Sequence, residues 1–212
     1  MSPDFPRRPK TVKGAIMALR SDSTQVSFDP NTPSLIFQYN PETLTRTFSP
    51  PGDEEVSPNG KKRDANSISE LISLTLEFDA ADQLEQPEKN RDVVENGLHP
   101  ALAVLESIMH SQFKTGNPPP PILIFLFGRN RTVPVWLDSL KVIEEVFDPD
   151  LNPIRVRVEL VLRVRDLSGF KKGSIGYAIC ASHLERRRTL SRLYPQNGSM
   201  HRLFDQVMRG IH

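Results

Sequence analysis

The sequence predicts a mainly β protein of the α+β type, an antiparallel β-sandwich or barrel with one packed helix and a C-terminal helical extension. Two segments, residues 69–79 and 154–165, alternate apolar and polar residues, and a third, residues 122–127, is an unbroken apolar run closed by Gly128. Alternation with a period of two is typical of a strand with one buried face. A short apolar run that ends at a glycine is typical of a strand covered on both faces.

The N-terminal part of the chain predicts three short extended segments. Residues 13–20 (KGAIMALR) form the first strand, and residues 34–40 form the second, with Phe37 and Tyr39 on one face. Residues 43–48 (TLTRTF) continue in an extended conformation. We expect both aromatic side chains of the second strand to lie in the core, because they share its apolar face.

The middle of the chain predicts a strand followed by an amphipathic helix. In residues 69–79 one face of the strand is apolar and consists of Ile72, Leu74, Leu76 and Phe78. The helix begins near His99 and Pro100, since proline is favourable in a first helical turn. Spacings of three and four residues place Leu98, Leu102, Leu105 and Met109 on one side of it.

Residues 135–147 and 154–165 predict a long antiparallel hairpin around the proline-containing turn 148–153. One face of its second strand is Ile154, Val156, Val158, Leu160, Leu162 and Val164, and we expect this face and Trp136 to belong to the core. The opposite face is strongly charged, and we expect its charges to lie at an interface or to line a channel.

After the hairpin the composition changes, and the chain predicts two basic helices, residues 177–193 and 199–211. From residue 163 onward the chain has ten Lys/Arg and three Asp/Glu, a net charge of +7. Residues 1–162 have 17 Lys/Arg and 23 Asp/Glu, a net charge of −6. An acidic body with a basic end suggests an acidic partner, another copy of the chain or a polyanion.

These patterns divide the chain into a flexible arm (1–12), a β domain (13–167) and a basic helical extension (168–212). Residues 49–66, rich in proline, glycine and charge, predict a long exposed loop. The residues that we expect at interfaces are Arg155, Arg157, Glu159, Arg163 and Arg165 on the hairpin, Arg186, Arg187 and Arg188 on the first tail helix, and Leu203, Phe204, Val207 and Ile211 on the second.

Motifs of catalytic sites are missing from the sequence, which contains no GxxxxGK[ST], GxGxxG, HExxH, GxSxG or CxxC. Asp148, Asp150, Asn152 and Glu159 match places one, three, five and twelve of a calcium loop, but Pro153 stands where that loop needs glycine. The single cysteine, Cys180, forms no internal disulfide and predicts a packed residue. We therefore predict no enzyme, no cofactor and no metal site.

The sequence also bounds where the protein acts. Its longest apolar run, residues 122–127, is too short to cross a bilayer, and the N-terminal residues lack the apolar core of a secretory signal. We expect a cytoplasmic protein without membrane insertion. The run from Arg186 to Arg188 is a candidate contact for nucleic acid or lipid, but aromatic residues that could stack on bases are sparse around it. Nucleic-acid binding is therefore the second choice.

Two blocks of the sequence resemble those of a known family. Residues 37–44, FQYNPETL, are similar to the FQxNP(E/S) signature near the start of tube proteins of contractile injection systems. Residues 123–128, the strand 142–148, the DPDLNPIR turn and the alternating strand up to residue 162 are similar to the family's second signature. The resemblance covers about residues 10–167 in the family's order.

This resemblance implies a tail-tube-like β-sandwich or barrel that assembles into a homo-hexameric ring with a central channel. It also implies a structural subunit of the baseplate or inner tube of a phage-tail-like particle, released or anchored, connecting the spike with the tube. Neighbouring tube, spike and baseplate subunits are then its partners. Adaptor members of the family often carry a C-terminal LysM module, and no such pattern is evident after Asp166. The alternatives are a nucleic-acid-binding protein that uses the basic tail, and an enzyme of unknown type.

Overall fold

The fold is one antiparallel sheet of seven strands, as seen in a computed structural model that describes residues 12–20, 33–50, 68–113, 119–194 and 206–207. The strands are β1 (Ala15–Leu19), β2 (Ser34–Ile36), β3 (Leu44–Ser49), β4 (Ser69–Asp79), β5 (Ile122–Leu126), β6 (Thr132–Phe147) and β7 (Pro153–Val164). Their order across the sheet is β2-β1-β5-β6-β7-β4-β3.

Four α-helices accompany the sheet in the described part of the chain: α1 (Ala81–Leu84), α2 (Arg91–Asn96), α3 (His99–Ser111) and α4 (Ile175–Leu193). A short 3₁₀ turn, Leu167–Gly169, links β7 to α4. None of the described helices combines the length and the apolar character needed to cross a membrane. The prediction of a mainly β protein with one packed helix and a C-terminal helix is therefore confirmed.

The core lies between the inner face of the sheet and α3. The predicted apolar face of β7 is buried at Val156, Val158, Leu160 and Leu162, and the ends of the strand pack against the same core. On α3 the side chains of Leu102, Leu105 and Ile108 are buried in this core, and Pro100 occupies its first turn as predicted. Sequence reasoning missed α1 and α2, which are too short to show helical periodicity.

β5 is covered on both of its faces, as its apolar run predicts. Leu123 and Phe125 belong to the main core, whereas Ile122 and Ile124 form a second cluster on the other face. The first half of α4 packs on that second cluster through Ile175 and Ile179, together with Phe170. Gly176 permits this contact, because a Cβ there would lie 2.4 Å from the Phe170 ring and 2.9 Å from Ile122. The start of the predicted extension therefore packs directly on the sheet.

The side chain of Gln38 joins the β2 end of the sheet to the end of β4, the last strand but one on the other side. Its Nε2 donates a hydrogen bond of 2.6 Å to the Asp79 carbonyl, and its Oε1 accepts one of 3.0 Å from the Asp79 N–H. Gln38 follows β2 by two residues, and Asp79 ends β4, five strand positions away.

Those two hydrogen bonds require a rolled sheet. Five strand spacings span about 24 Å in a flat sheet, because neighbouring strands lie about 4.8 Å apart. The two residues from Ile36 to Gln38 reach only about 7 Å even when fully extended. The sheet must therefore curl around α3 until its ends approach each other, which gives it a barrel-like shape around the core.

The neighbours of Gln38 in the FQYNP segment also have structural roles. Phe37 is 1% exposed and packs on Gly14, where a Cβ would lie 2.7 Å from its ring. The Asn40 side chain accepts a hydrogen bond from the Gly14 N–H at 2.8 Å and donates one to the Val12 carbonyl at 2.9 Å. The prediction that Tyr39 is a core residue is wrong: β2 ends at Ile36, the alternation stops, and Tyr39 is 47% exposed.

A second glutamine, Gln112, is buried and supports a bulge in β6. β5 pairs only with residues 132–135, and the register of β6 against β7 shifts between Leu137 and Ser139. The Gln112 side chain accepts a hydrogen bond from the Leu137 N–H at 2.7 Å and donates one to the Leu137 carbonyl at 3.2 Å. The Gln112 side chain therefore pairs with the backbone groups of Leu137 as a neighbouring strand would. This matters because buried backbone groups without a hydrogen-bond partner are costly.

Several predictions fall wholly or partly on residues that the structure does not describe. The arm 1–12 and the loop 49–66 lie outside the described residues, apart from the positions at their ends. Of the predicted second tail helix only Gln206 and Val207, both helical, are described.

The Gln38 bridge predicts a specific loss of stability. Replacing Gln38 by Ala removes both hydrogen bonds and leaves the Asp79 backbone groups without their partner, so we expect the free energy of unfolding to fall by about 1–3 kcal/mol. Urea unfolding followed by circular dichroism measures this change. Gln86→Ala, at an exposed position, is the control and should change it by about 0.5 kcal/mol or less. Equal losses in both variants would show that the bridge does not hold the sheet closed.

Candidate interaction surfaces

The charged face of the hairpin is paired within the chain. Arg155 forms an ion pair of 2.8 Å with Asp79, and Arg157 hydrogen bonds to Glu145. Glu159 pairs with Lys141 at 3.1 Å. These pairs are exposed to solvent, so each contributes little to stability.

The two remaining hairpin arginines are more enclosed. Arg163 forms a 2.6 Å ion pair with Asp138, and both side chains are largely shielded. Arg165 lies between two rings, 4.2 Å from the centroid of Trp136 and 4.1 Å from that of Phe170. Burial lowers the pKa of Arg165 to about 10, opposed by the nearby Asp166 carboxylate. Arg165 thus holds the segment before α4 on the sheet. The interface role of the five charged hairpin residues, Arg155, Arg157, Glu159, Arg163 and Arg165, stays a prediction.

The far half of the hairpin has a backbone edge without a described neighbour. β5 covers β6 only at residues 132–135, so residues 139–147 pair with β7 on one side and meet no strand on the other among the described residues. Unpaired strand edges can accept a strand from another chain.

The end of this hairpin is also apolar and exposed. Val146 and Phe147 are 42% and 47% exposed, and Leu151 is 75% exposed. Leu151 has a φ of 65°, a left-handed conformation that is uncommon for a leucine. An exposed leucine held in an unfavourable conformation has no evident benefit to the isolated chain, and it marks the hairpin end as a candidate contact.

The turn at the hairpin end is organised by Asp148. Its carboxylate accepts hydrogen bonds from the N–H groups of Asp150 and Asn152 and from the Asn152 side chain, and these bonds lower the pKa of Asp148, the Asn152 amide most. Glu159, the last place of the calcium template, instead pairs with Lys141. Within the described ranges no group of three or more His, Cys, Asp or Glu side chains is arranged to hold a metal ion.

The arginine run on α4 also contacts the body of the protein. The Arg186 Nε donates to the Asn130 side chain at 3.0 Å, and Arg187 forms a 3.0 Å ion pair with Glu70. Arg188 pairs with Glu185 on its own helix at 3.5 Å. The basic run is thus partly neutralised. Of the four apolar residues predicted for the last helix, Leu203, Phe204 and Ile211 lie outside the described residues, and Val207 is 60% exposed.

A cleft of about 460 Å³ separates the second half of α4 from the end of the sheet. Glu70 lines this cleft; its side chain is only 8% exposed, and its carboxylate pairs with Arg46 at 2.6 Å as well as with Arg187. Both guanidinium groups also lie over the Phe48 ring, at 4.8 and 5.4 Å from its centroid. This ion-pair cluster couples α4 to β3 and β4.

Cys180 lies in the same cleft and is buried. Its thiol is 3.5 Å from the Arg165 carbonyl, and burial raises its pKa to about 11. A thiol with so high a pKa is largely protonated at neutral pH and is a poor nucleophile. Its position agrees with the packed role that the sequence predicts.

Sequence reasoning did not single out the residues that hold these surfaces in place. Glu70 and Phe48 lie near the ends of their strands. The alternation of a strand does not show that its residues contact α4, which lies about a hundred residues later in the sequence. For Val146 and Phe147 at the end of β6 the sequence predicts only a strand, not their exposure. Gln38 and Asn40 lay within the recognised FQYNP segment, yet their polar type alone does not reveal backbone partners.

Comparison of the chain with protein-family models and with curated proteins finds no match.

The Glu70 cluster predicts different costs for two similar substitutions. Glu70→Gln leaves Arg46 and Arg187 together without their shielded carboxylate, so we expect the free energy of unfolding to fall by about 1–3 kcal/mol. Glu159→Gln removes an exposed pair with Lys141 and should cost about 0.5 kcal/mol or less. Urea unfolding measures both, and a Glu159 variant as damaging as the Glu70 variant would contradict the assigned role of the cluster.

Proposed function

We propose that this chain is a structural subunit of the baseplate or inner tube of a phage-tail-like contractile injection system. In this proposal it forms a homo-hexameric ring that connects the spike with the tube. Its contacts with neighbouring tube, spike and baseplate subunits are its function, and it performs no catalysis.

The observation that carries this proposal is the far half of the hairpin. The strand edge over residues 139–147 meets no further strand in the described part of the chain, and Val146, Phe147 and Leu151 at the end of the same hairpin are exposed. Exposed edges and apolar patches are liabilities in a monomer. In a closed ring each such edge meets the next copy, which removes the liability by symmetry.

The resemblance of the FQYNPETL segment to the tube-protein signature agrees with this proposal in physical terms. Phe37 fills the core, Gln38 joins the β2 end of the sheet to the end of β4 and Asn40 clamps the start of β1. All three residues hold the backbone in shape rather than present reactive groups. A motif whose residues only stabilise the backbone is in keeping with a structural subunit.

The alternative is nucleic-acid binding by the basic C-terminal helices. The contacts of Arg186 with Asn130 and of Arg187 with Glu70 disfavour it, because these guanidinium groups already serve the fold. Phosphate contacts weaken steeply as the salt concentration rises. Strong, salt-dependent binding of the purified chain to random DNA would therefore favour this alternative over the assembly role.

A substitution at Leu151 separates assembly from folding. Asparagine tolerates the left-handed conformation better than leucine, so Leu151→Asn should raise the free energy of unfolding by about 0.5–1 kcal/mol. The same change removes an exposed apolar side chain from the proposed contact and should weaken ring assembly by about tenfold. Sedimentation velocity over a range of concentrations measures assembly, and thermal unfolding measures stability.

The control is Leu193→Asn, the same chemical change at an exposed position at the end of α4. It should leave ring formation unchanged. If Leu151→Asn assembles as well as the unaltered chain, the hairpin end is not the contact. If the unaltered chain does not assemble at any concentration, the ring itself is wrong.

A further inference from the structure

His183 on α4 lies in the cleft between that helix and the end of the sheet, and its environment is unusual. Its Nε2 is buried and has no hydrogen-bond partner among the described residues. A buried polar atom without a partner is uncommon in a folded protein. A neutral imidazole tolerates this position, whereas an imidazolium would bring a second N–H donor and a charge into it.

The charges around His183 come from every element that meets there. They are Arg187 on α4, Arg46 on β3, Glu70 on β4 and Arg131 in the turn before β6, and Arg165, Asp166 and Cys180 line the same cleft. Both carboxylate oxygens of Glu70 already accept from guanidinium groups, Oε1 from Arg46 and Oε2 from Arg187. A new positive charge on His183 would therefore meet three nearby arginines and a carboxylate that is already engaged.

The two halves of α4 are held by different forces. The first half packs through Ile175 and Ile179 on the apolar cluster of β1 and β5, which is insensitive to pH. The second half is held by the cluster of Glu70, Arg46 and Arg187, next to His183, and by the hydrogen bond from Arg186 to Asn130. Only the second half therefore responds to a change of charge in the cleft.

We propose that His183 makes the docking of the second half of α4 acid-sensitive: protonation of the imidazole releases residues 184–193 from the end of the sheet while the β body stays folded. Release opens the cleft and removes the Arg187 guanidinium group from the ring of Phe48, which is 47% exposed in the docked state. This device does not depend on the assembly role proposed above.

The direction of the pH effect follows from the environment of His183. Burial, and next to it the charges of Arg187, Arg46 and Arg131, lower the pKa of His183 below its ordinary value in the docked state, while Glu70 opposes them. In the released state the imidazole regains its ordinary pKa of about 6.5. The docked form therefore binds fewer protons, so docking is fully favoured above that pH and is lost as the pH falls through the lower pKa of the docked state.

Hydrogen exchange of the purified full chain tests this proposal. After correction for the intrinsic effect of pH on exchange, protection of residues 184–193 should fall about three- to tenfold between pH 7.5 and pH 5.0. Protection of β6 and β7 should stay constant. In His183→Gln, which cannot take up the proton, protection of residues 184–193 should not change with pH.

His110→Gln is the matched control, since it removes an exposed histidine from α3 and should respond to pH like the unaltered chain. His183→Gln keeps every carboxylate of the chain. A pH response that this variant lacks therefore comes from the imidazole and not from a carboxylate. A pH response retained in His183→Gln, or absent from the unaltered chain, would overturn the proposal. If that variant fails to fold, an NMR titration of His183 in the unaltered chain decides: a midpoint below about 6.5 supports the switch, and one at or above that value refutes it.

Discussion

The pair of hydrogen bonds between the Gln38 side chain and the Asp79 backbone is the constraint on which the rest of this structure depends. It brings the end of β2 against the end of β4 and so fixes how far the sheet is rolled. The rolled sheet encloses α3 on its inner face. Because the amide places an N–H donor beside a carbonyl acceptor, it can bond the N–H and C=O of one residue as a neighbouring strand would. Gln112 does the same at the bulge in β6.

Much of the fold could be predicted from the sequence, because strands with one buried face have a regular pattern. The alternation in residues 154–165 gave the buried face of β7, and the apolar run gave a strand covered on both sides. The prediction for Tyr39 is wrong because alternation does not show where a strand ends, and β2 ends at Ile36. The Glu70 cluster could not be predicted, since it joins residues of β3, β4 and α4 that are distant in sequence and meet only through packing.

Arginines of the basic C-terminal part of the chain contact the acidic β body in this fold. Arg165 holds the segment before α4 on the sheet by stacking on Trp136 and Phe170, and Arg187 connects α4 itself to the body by an ion pair with the shielded Glu70 carboxylate. At the hairpin end, in contrast, Val146, Phe147 and Leu151 are exposed, and residues 139–147 meet no strand on one side among the described residues. The described part of the molecule thus holds α4 against the sheet and leaves the apolar end of the hairpin exposed.

The proposed place of this subunit is tested most directly by locating it in assembled particles. Cells would produce the full chain with a small tag in place of the native copy, and purified particles would be imaged by electron microscopy with a gold label on the tag. The account predicts label at the junction between spike and tube of phage-tail-like particles. Particles complete and contractile without any label, or tagged chain found only apart from such particles, would contradict it.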